Sequence, residues 1–482
     1  MEVSKLDVKY AASIKPTKRQ IKIQELEFYG FIHFGINTMY GVEWGSGKEE
    51  PKRFYPDNIN TDDWIKTLKS AGMRGAILTC KHHDGFCLWP SKYTEHSVAS
   101  SPWKNGQGDL VKEFSLSCEK YDMEFGVYLS PWDMYEPTYG TGKEYDDFFV
   151  NQLTELLTNY GKVFNVWFDG ANGEGPNGKV QEYDWDRYYR IVRELQPEAV
   201  ISVSGPDVRW VGNEAGKTRE NEWSVVPAFM KDPAITAGLS QQEDSPDFRE
   251  TFTTGDEDLG SRKRLNNYNG KLIWYPAEVD LSIRPGWFYH AEEDKNVRTS
   301  DNLFNIYKDS VGNNTTLLLN VPPMPSGEVH DNDKIVLKEL GEKIKNLYEN
   351  NAVKFAQLSE SSNEFTTSLE DILKPELDGK YFQFCKNDNQ PLMELSWEKP
   401  VLANTLILGE YIPRGQLIDG IQIELKVGGE WTRLIEVESI GYRRILSFPE
   451  QVIESLRIKI TSFREQPNLN FILLTYDNFY KH

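Results

Sequence analysis

The stretch EYDDFFVNQLTELLTNYGKVFNVWFDG, residues 144–170, contains both elements of the unit that decides the fold. In its first part, apolar side chains recur at the 3.6-residue spacing of a helix, at Phe149, Leu153, Leu156, Leu157 and Tyr160. The opposite face carries Asp, Asn, Gln and Glu. In its second part, residues 164–170, a short apolar run ends in Asp-Gly. This order predicts an amphipathic helix followed by a buried strand.

The same alternation extends from about residue 29 to 345. The predicted strands are FIHFGI (31–36), GAILTCKH (75–82), FGVYLS (125–130), FNVWFDG (164–170), AVISVSG (199–205), KLIWYPAEV (271–279) and TTLLLNV (315–321). Further helices are predicted over 61–72, 109–121, 185–196 and 332–351, and one more strand is expected between 206 and 260. This number of units favours an α/β fold of the TIM-like (β/α)₈ barrel type, although periodicity alone leaves an open sheet as an alternative.

The C-terminal part of the chain has a different pattern. After about residue 350 short strands with strict alternation replace the helices, as in IQIELKV (421–427) and LRIKI (456–460). Turn signals such as VGGEW separate them. We therefore predict a barrel over 1–345 and an antiparallel β-sandwich over 346–482, packed together because no low-complexity linker divides them.

Composition excludes several classes of protein. Of the 482 residues 39% are apolar and 13% aromatic, which is enough for packed cores. The 54 basic and 74 acidic residues give a net charge of -20, which argues against nucleic acid and anionic membrane surfaces as partners. The four cysteines are too few for a disulfide framework. No apolar run is long enough to predict a membrane-inserted segment.

Unusual polar residues lie where the predicted strands end, which is where barrel enzymes have their active sites. His33 interrupts the first run, His82, His83 and Asp84 close the second, Tyr128 precedes SPWD, and Asp169 ends VWFDG. Tryptophans accompany these segments, at positions 44, 89, 132, 167, 210 and 287. Sugars present hydroxyls to hydrogen-bond and C–H faces to stack, so such a rim suits a sugar. A single Trp is nevertheless more often a core residue, and a single His is often structural.

A metal site is the main rival explanation of these histidines. Adjacent residues on a strand point to opposite faces, so we expect that His82 and His83 do not share one ion, and HxH and HExxH spacings are absent. A serine nucleophile is disfavoured because there is no GxSxG elbow. We therefore predict no metal and no cofactor.

Carboxylates remain as the candidate catalytic groups, and glycoside hydrolysis by the usual route needs two of them. Asp169 is well placed for the role of nucleophile, since it follows an apolar strand that includes Trp167 and Phe168. Its alternative role is to cap the next helix. For the acid the residues alone leave a choice open among Glu43, Glu174, Glu214, Glu220, Glu222 and Glu278.

With these residues the sequence resembles glycoside hydrolase family 29, the retaining α-L-fucosidases. The motifs HFG (33–35), KHHDGF (81–86), GVYLSPWD (126–133), VWFDG (166–170) and LLNVPP (318–323) occur in the family's order. The resemblance implies that Asp169 is the nucleophile. It also implies that fucose hydroxyls are bound by His33, His82, His83 and Tyr128.

Two loops are similar to one branch of that family, the enzymes that remove α-1,3- and α-1,4-linked fucose from branched, Lewis-type glycans. They are RWVGNEAG (209–216) and YPAEVDLSIRPGWFYH (275–290). The resemblance implies Glu214 as general acid/base, with Glu43, Trp44 and Trp287 as further substrate contacts. The segments GEYIPRGQLIDGIQIEL and TRLIEVESIGYRRI resemble discoidin-type (coagulation factor 5/8 C-terminal) modules.

The expected function is therefore a retaining exo-α-L-fucosidase acting on fucosylated oligosaccharides or glycoconjugates. The alternatives are a catalytically inactive carbohydrate-binding protein and a glycosidase for another sugar, such as galactose. We expect secretion or a periplasmic location, with a signal peptide absent from this sequence and a cytoplasmic location left open. The oligomeric state is not predicted.

Overall fold

The computed structural model describes residues 8–240, 258–266 and 268–479. Within these ranges no helix combines the length and the apolar character needed to cross a membrane. The eighteen residues between 240 and 268 that lie outside the described ranges include part of the interval in which an eighth barrel strand was expected.

Eight parallel strands form a nearly closed barrel, which confirms the predicted fold class. They run in the order β5-β4-β3-β2-β1-β10-β9-β6. Between the two ends of this order, a parallel bridge joins Ser202 to Val208. The barrel strands are β1 Phe28–Ile32, β2 Gly75–Lys81, β3 Glu124–Leu129, β4 Asn165–Phe168, β5 Val200–Val203, β6 Arg209–Trp210, β9 Ala277–Ser282 and β10 Thr315–Asn320.

Helices surround the strands, and the five predicted ones lie within about two residues of their expected bounds. Their N-termini are fixed by side chains that accept backbone N–H groups: Asn60, Asp109 and Asp184 each cap one helix. The helices are α1 Val8–Ser13, α2 Lys18–Leu26, α3 Ile36–Tyr40, α4 Thr61–Ser70, α5 Leu110–Lys120, α6 Lys143–Asn159, α7 Trp185–Leu195, α8 Pro233–Ser240, α9 Arg262–Leu265, α10 Ser300–Ser310 and α11 Asp331–Glu349.

Two predicted strands differ from the structure. The first strand ends at Ile32 rather than residue 36, because the chain turns at Gly35 into α3. The run 271–279 is not one strand: β8, Leu272–Trp274, pairs antiparallel with β7, Val225–Pro227, outside the barrel, and β9 begins only at Ala277. Pro276 lies at the break, and proline has no N–H to donate to a sheet.

The expected eighth strand is present but has only two residues. Arg209 and Trp210 form β6, which pairs in parallel with β9. Its short length means that the chain leaves the barrel immediately before the loop that carries Glu214.

The C-terminal part consists of antiparallel strands. They are β11 Gln357–Glu360, β12 Phe382–Gln383, β13 Leu392–Gly409, β14 Ile418–Val427, β15 Glu430–Val437, β16 Arg444–Phe463, β17 Asn468–Leu469 and β18 Phe471–Thr475. The two longest, β13 and β16, pair along their lengths with register shifts between Ser396 and Val401 and between Ala403 and Thr405. One half of β13 pairs with β11 and the other with β18, and a separate apolar core lies among these strands.

The two parts are packed together, as expected. The guanidinium of Arg443 lies 2.9 Å from the carboxylate of Glu27, and the Lys308 ammonium lies 3.0 Å from that of Asp477. Ile445 and Phe471 belong to the same apolar cluster as the barrel helices. The predicted division after residue 345 falls within α11, and its exact position stays a prediction.

Candidate active site

The carboxyl ends of six barrel strands bring the predicted residues to one rim. His33 follows β1, His82 and His83 follow β2, and Asp169 follows β4. Tyr128 is the penultimate residue of β3. Glu214 lies in the loop after β6 and Trp287 in the loop after β9, while Asn320 ends β10. In a parallel barrel all these ends open on the same face, so side chains far apart in sequence share one site.

Asp169 is held by two hydrogen-bond donors. Its Oδ2 accepts the phenol O–H of Tyr128 at 2.8 Å, and its Oδ1 accepts the backbone N–H of Ala171 at 2.9 Å. Nε2 of His83 lies 3.8 Å from Oδ2. The side chain keeps 20% of its surface exposed, so a ligand can reach a carboxylate whose orientation is fixed.

His33 is fully enclosed and held by one amide. Its Nδ1 lies 2.8 Å from Oδ1 of Asn320, which also accepts the backbone N–H of His33 at 3.2 Å. Burial lowers the pKa of His33 to about 4. The imidazole is therefore neutral near pH 7 and can both donate and accept a hydrogen bond.

The neighbouring histidines are also kept neutral by burial. Burial lowers the pKa of His82 well below its ordinary value, and that of His83 is lowered in spite of the opposing effect of Asp169. Nδ1 of His83 lies 2.7 Å from Oγ of Ser130. The ring of His82 stacks against Tyr128 at 5.6 Å, and among the described residues its buried Nδ1 has no hydrogen-bond partner.

The prediction that His82 and His83 face apart was wrong. Both lie beyond the end of β2, so the alternation of a strand does not apply to them, and their ring centroids are 4.1 Å apart. One nitrogen of each and one carboxylate oxygen of Asp169 lie within 4.8 Å of one another, which is a geometry that could hold a metal ion. The same three groups also suit the hydroxyls of a sugar, and the absence of a metal stays a prediction.

Glu43 and Trp44 reach the rim from the loop after α3. Both carboxylate oxygens of Glu43 accept hydrogen bonds from the loop after β9 rather than pointing to open solvent. Trp44 is 42% exposed, and its ring meets the rings of Trp132 at 5.5 Å and His83 at 5.8 Å edge-on. An indole at this position provides an apolar wall at the mouth of the site.

Glu214 lies in the loop after β6 and contacts Trp287. The indole N–H of Trp287 donates to its Oε2 at 3.1 Å, and the Trp287 ring lies 5.1 Å from that of His33. Below Glu214, the buried carboxyl of Asp280 accepts the indole N–H of Trp210 at 2.6 Å. The pKa of Asp280 is raised well above its usual value, first by burial and then by the nearby charge of Glu214.

The structure separates the other acid candidates. Glu222 is buried between the guanidinium groups of Arg209 and Arg219, which favours a structural role. Glu278 is enclosed in the barrel interior and accepts the N–H of Trp167 at 2.7 Å. Glu174 and Glu220 are exposed. Glu220 lies where the barrel contacts the C-terminal part, since its backbone carbonyl accepts a hydrogen bond from the guanidinium of Arg444.

Sequence reasoning missed residues that position the site. Asn320 contacts His33, donates to Oγ of Ser282 at 3.0 Å and donates to the backbone carbonyl of Trp287 at 2.8 Å. It ends a predicted strand within LLNVPP, so its place at a strand end was the available signal. Trp132, whose ring lies 4.9 Å from that of His83, was noted only as one of several aromatic residues.

Comparisons with known proteins give a consistent result. The family model described as alpha-L-fucosidase matches residues 18–347. Alpha-L-fucosidase 1 of Arabidopsis thaliana is 38% identical over 472 residues, which cover 96% of this chain and 88% of that protein. A crystal structure of a glycoside hydrolase 29 family member from an unknown rumen bacterium is 34% identical with a TM-score of 0.79, covering 97% of this chain and 78% of that chain. A Ruminococcus gnavus GH29 fucosidase in complex with fucose is 28% identical with a TM-score of 0.84, covering 97% and 96% of the two chains.

Proposed function

The chain belongs to the α-L-fucosidase family and is a glycoside hydrolase, and from this premise we propose that it removes terminal α-1,3- or α-1,4-linked L-fucose from branched, Lewis-type glycans with retention of configuration. The observation that carries the proposal is the fixed carboxylate of Asp169 at the end of β4, held by Tyr128 and Ala171 beside neutral imidazoles. The fucose complex of the Ruminococcus gnavus relative supports a fucosylated glycan as the substrate.

Asp169 acts as the nucleophile of a double displacement. Its carboxylate attacks the anomeric carbon of fucose, and the bond to the leaving oxygen breaks as that oxygen takes a proton from Glu214. The ionised Glu214 then removes a proton from water, which attacks the same carbon and frees Asp169. The donors to Asp169 leave its carboxylate rigid, so little reorganisation is needed at the reacting centre.

The remaining rim residues bind the sugar. His33, His82 and His83 are neutral, and Tyr128 lies beside them. Because Nδ1–H of His33 donates to Asn320 and that of His83 to Ser130, Nε2 of both rings can accept a hydrogen bond from a sugar hydroxyl. His82 can donate to one hydroxyl or accept from another. Trp44 and Trp287 offer apolar surface to the C–H faces, and Glu43 lies behind Trp287. Such a pocket favours an uncharged sugar, because it offers hydrogen bonds rather than a net positive charge.

The retaining mechanism is tested by following the hydrolysis of 4-nitrophenyl α-L-fucoside by proton NMR. We expect the α-anomer of fucose as the first product, with mutarotation afterwards. Asp169→Ala should lower kcat by several orders of magnitude while the unfolding temperature stays within a few degrees of that of the parent. The β-anomer as first product refutes retention, and faster hydrolysis of the matching β-D-galactoside refutes fucose as the substrate.

Linkage preference rests on the loops that carry Glu214 and Trp287, which resemble the α-1,3/1,4 branch. We expect a branched trisaccharide, with fucose and galactose on one N-acetylglucosamine, to be cleaved with a higher kcat/KM than an unbranched α-1,2-fucosyl galactoside. Initial rates with both glycans decide the matter, and preference for the unbranched glycan assigns the enzyme to another branch.

We further propose that the antiparallel C-terminal part is a discoidin-like module and that the enzyme acts outside the cytoplasm. The alternating strands around a separate core support the first proposal. Fractionation of the source cells tests the second.

A further inference from the structure

The loop after β9 is attached to Glu43, which lies in the loop after α3. Oε2 of Glu43 accepts the backbone N–H of Trp287 at 2.8 Å, and Oε1 accepts that of Phe288 at 3.2 Å. Nε2 of His290 lies 2.6 Å from the same Oε1. The approach is so close that a Cβ on Gly286 would lie 2.6 Å from Oε1, which explains a glycine at that position.

Both backbone polar groups of Trp287, its N–H and its carbonyl, are thereby held by hydrogen bonds. Glu43 accepts its N–H, and the side-chain amide of Asn320 donates to its carbonyl at 2.8 Å. The indole then extends from a fixed backbone, packs near His33 and donates to Glu214 at 3.1 Å. The contact with Glu214 therefore depends on where this backbone is held.

We propose that His290 and Glu43 form a clamp whose task is to position Trp287, and through the indole N–H of Trp287 the carboxyl of Glu214. In this proposal His290 is a positioning residue that acts on proton donation without touching the substrate. The proposal rests on the proposed role of Glu214 as general acid/base.

The surroundings of His290 favour a charged clamp. Its hydrogen bond to Glu43 raises the pKa of His290, against the opposing effect of burial, and the charges of Glu43, Glu293 and Glu292 act in the same direction as that bond. The side chains of His290 and Glu43 are 14% and 22% exposed. A hydrogen bond between charged groups at such a site is stronger than one between neutral groups, and shielding from solvent preserves it.

The test uses the dependence of the rate on the leaving group. A proton donor matters most for a poor leaving group such as a sugar hydroxyl, and little for an activated aryl group. We expect His290→Ala to lower kcat for the branched trisaccharide about tenfold or more, while kcat for 4-nitrophenyl α-L-fucoside and inhibition by free fucose change by less than about threefold. His290→Gln, whose amide can still donate to Glu43, should recover most of the lost rate.

Lys295→Gln is the matched control, because Lys295 is exposed in the turn that follows His290 and is not among the charges named as acting on it. It should leave both rates unchanged. Equal losses with both substrates in His290→Ala would indicate a general collapse of the site and would overturn the proposal, as would no loss with either.

Glu214→Ala distinguishes this failure from that of the proposed function. If Glu214→Ala itself shows no selective loss with the trisaccharide, the acid/base assignment fails. If it does and His290→Ala does not, only the clamp fails. In the double variant, His290→Ala should add little to the effect of Glu214→Ala, because both act on the same step.

Discussion

Replacement of Glu278 by glutamine should change how the stability of the protein depends on pH. Glu278 lies in the barrel interior, where its carboxyl accepts the O–H of Tyr29 and, at 2.7 Å, the indole N–H of Trp167. Burial raises its pKa from 4.5 to about 7. Gln keeps the shape of a protonated Glu, its carbonyl can accept from Trp167, and it cannot ionise.

The magnitude follows from linkage between protonation and folding. Below pH 4.5 the carboxyl is protonated in both the folded and the unfolded chain. Between 4.5 and about 7 the unfolded chain ionises while the folded one keeps its proton, so the parent loses stability as pH rises through this window. The difference in pKa corresponds to about 3 kcal/mol in the free energy of unfolding. The parent loses this stability as pH rises through the window, whereas Glu278→Gln does not.

Urea unfolding followed by tryptophan fluorescence, at about pH 5 and about pH 8, measures this effect. We expect the free energy of unfolding of Glu278→Gln, relative to the parent, to rise between the two pH values by an amount approaching 3 kcal/mol. The variant should also hydrolyse the branched trisaccharide at close to the parent rate. The same relative stability at both pH values would refute the reasoning about burial, and loss of trisaccharide hydrolysis alone would indicate that Glu278 donates the proton.

Further predictions concern the two carboxylates proposed for catalysis. Glu214→Ala should nearly abolish trisaccharide cleavage, and added azide should restore its turnover of an aryl fucoside. In a crystal structure with bound sugar, the carboxyl groups of Glu214 and Asp169 should lie about 5–5.5 Å apart. Another carboxylate at that distance from Asp169 would replace Glu214 as the general acid/base. Tyr128→Phe removes the 2.8 Å hydrogen bond to Asp169 and should lower kcat/KM about tenfold or more without loss of stability; an unchanged value would mean that this bond does not contribute to catalysis.

The sequence predicts the parts of the fold that depend on local chemistry. Helix positions were predicted closely because each helix has an amphipathic stretch, and residues such as Asn60 and Asp109 cap these stretches in the structure. The run 271–279 was assigned to one strand because apolar residues extend on both sides of Pro276, and β-type composition does not reveal which sheet a segment joins. The two-residue strand β6 is too short to have a pattern of its own.

The choice among carboxylates needed contacts that sequence spacing cannot supply. Glu222 is eight residues from Glu214, yet it is neutralised by Arg209 and Arg219. Glu43 is predicted to contact substrate, and its carboxylate accepts hydrogen bonds from a loop more than 240 residues away. Such pairings follow from the order of strands around the barrel.

The two carboxylates proposed for catalysis lie in unlike surroundings, as double displacement requires. Asp169 accepts two hydrogen bonds, an arrangement that suits a group that must attack as an anion. Glu214 accepts one from the indole of Trp287 and lies near Asp280, a buried carboxyl whose pKa is raised partly by the charge of Glu214 itself. Because two negative charges in such a site repel, the Glu214–Asp280 pair retains one proton above the pH at which an isolated carboxyl would lose it.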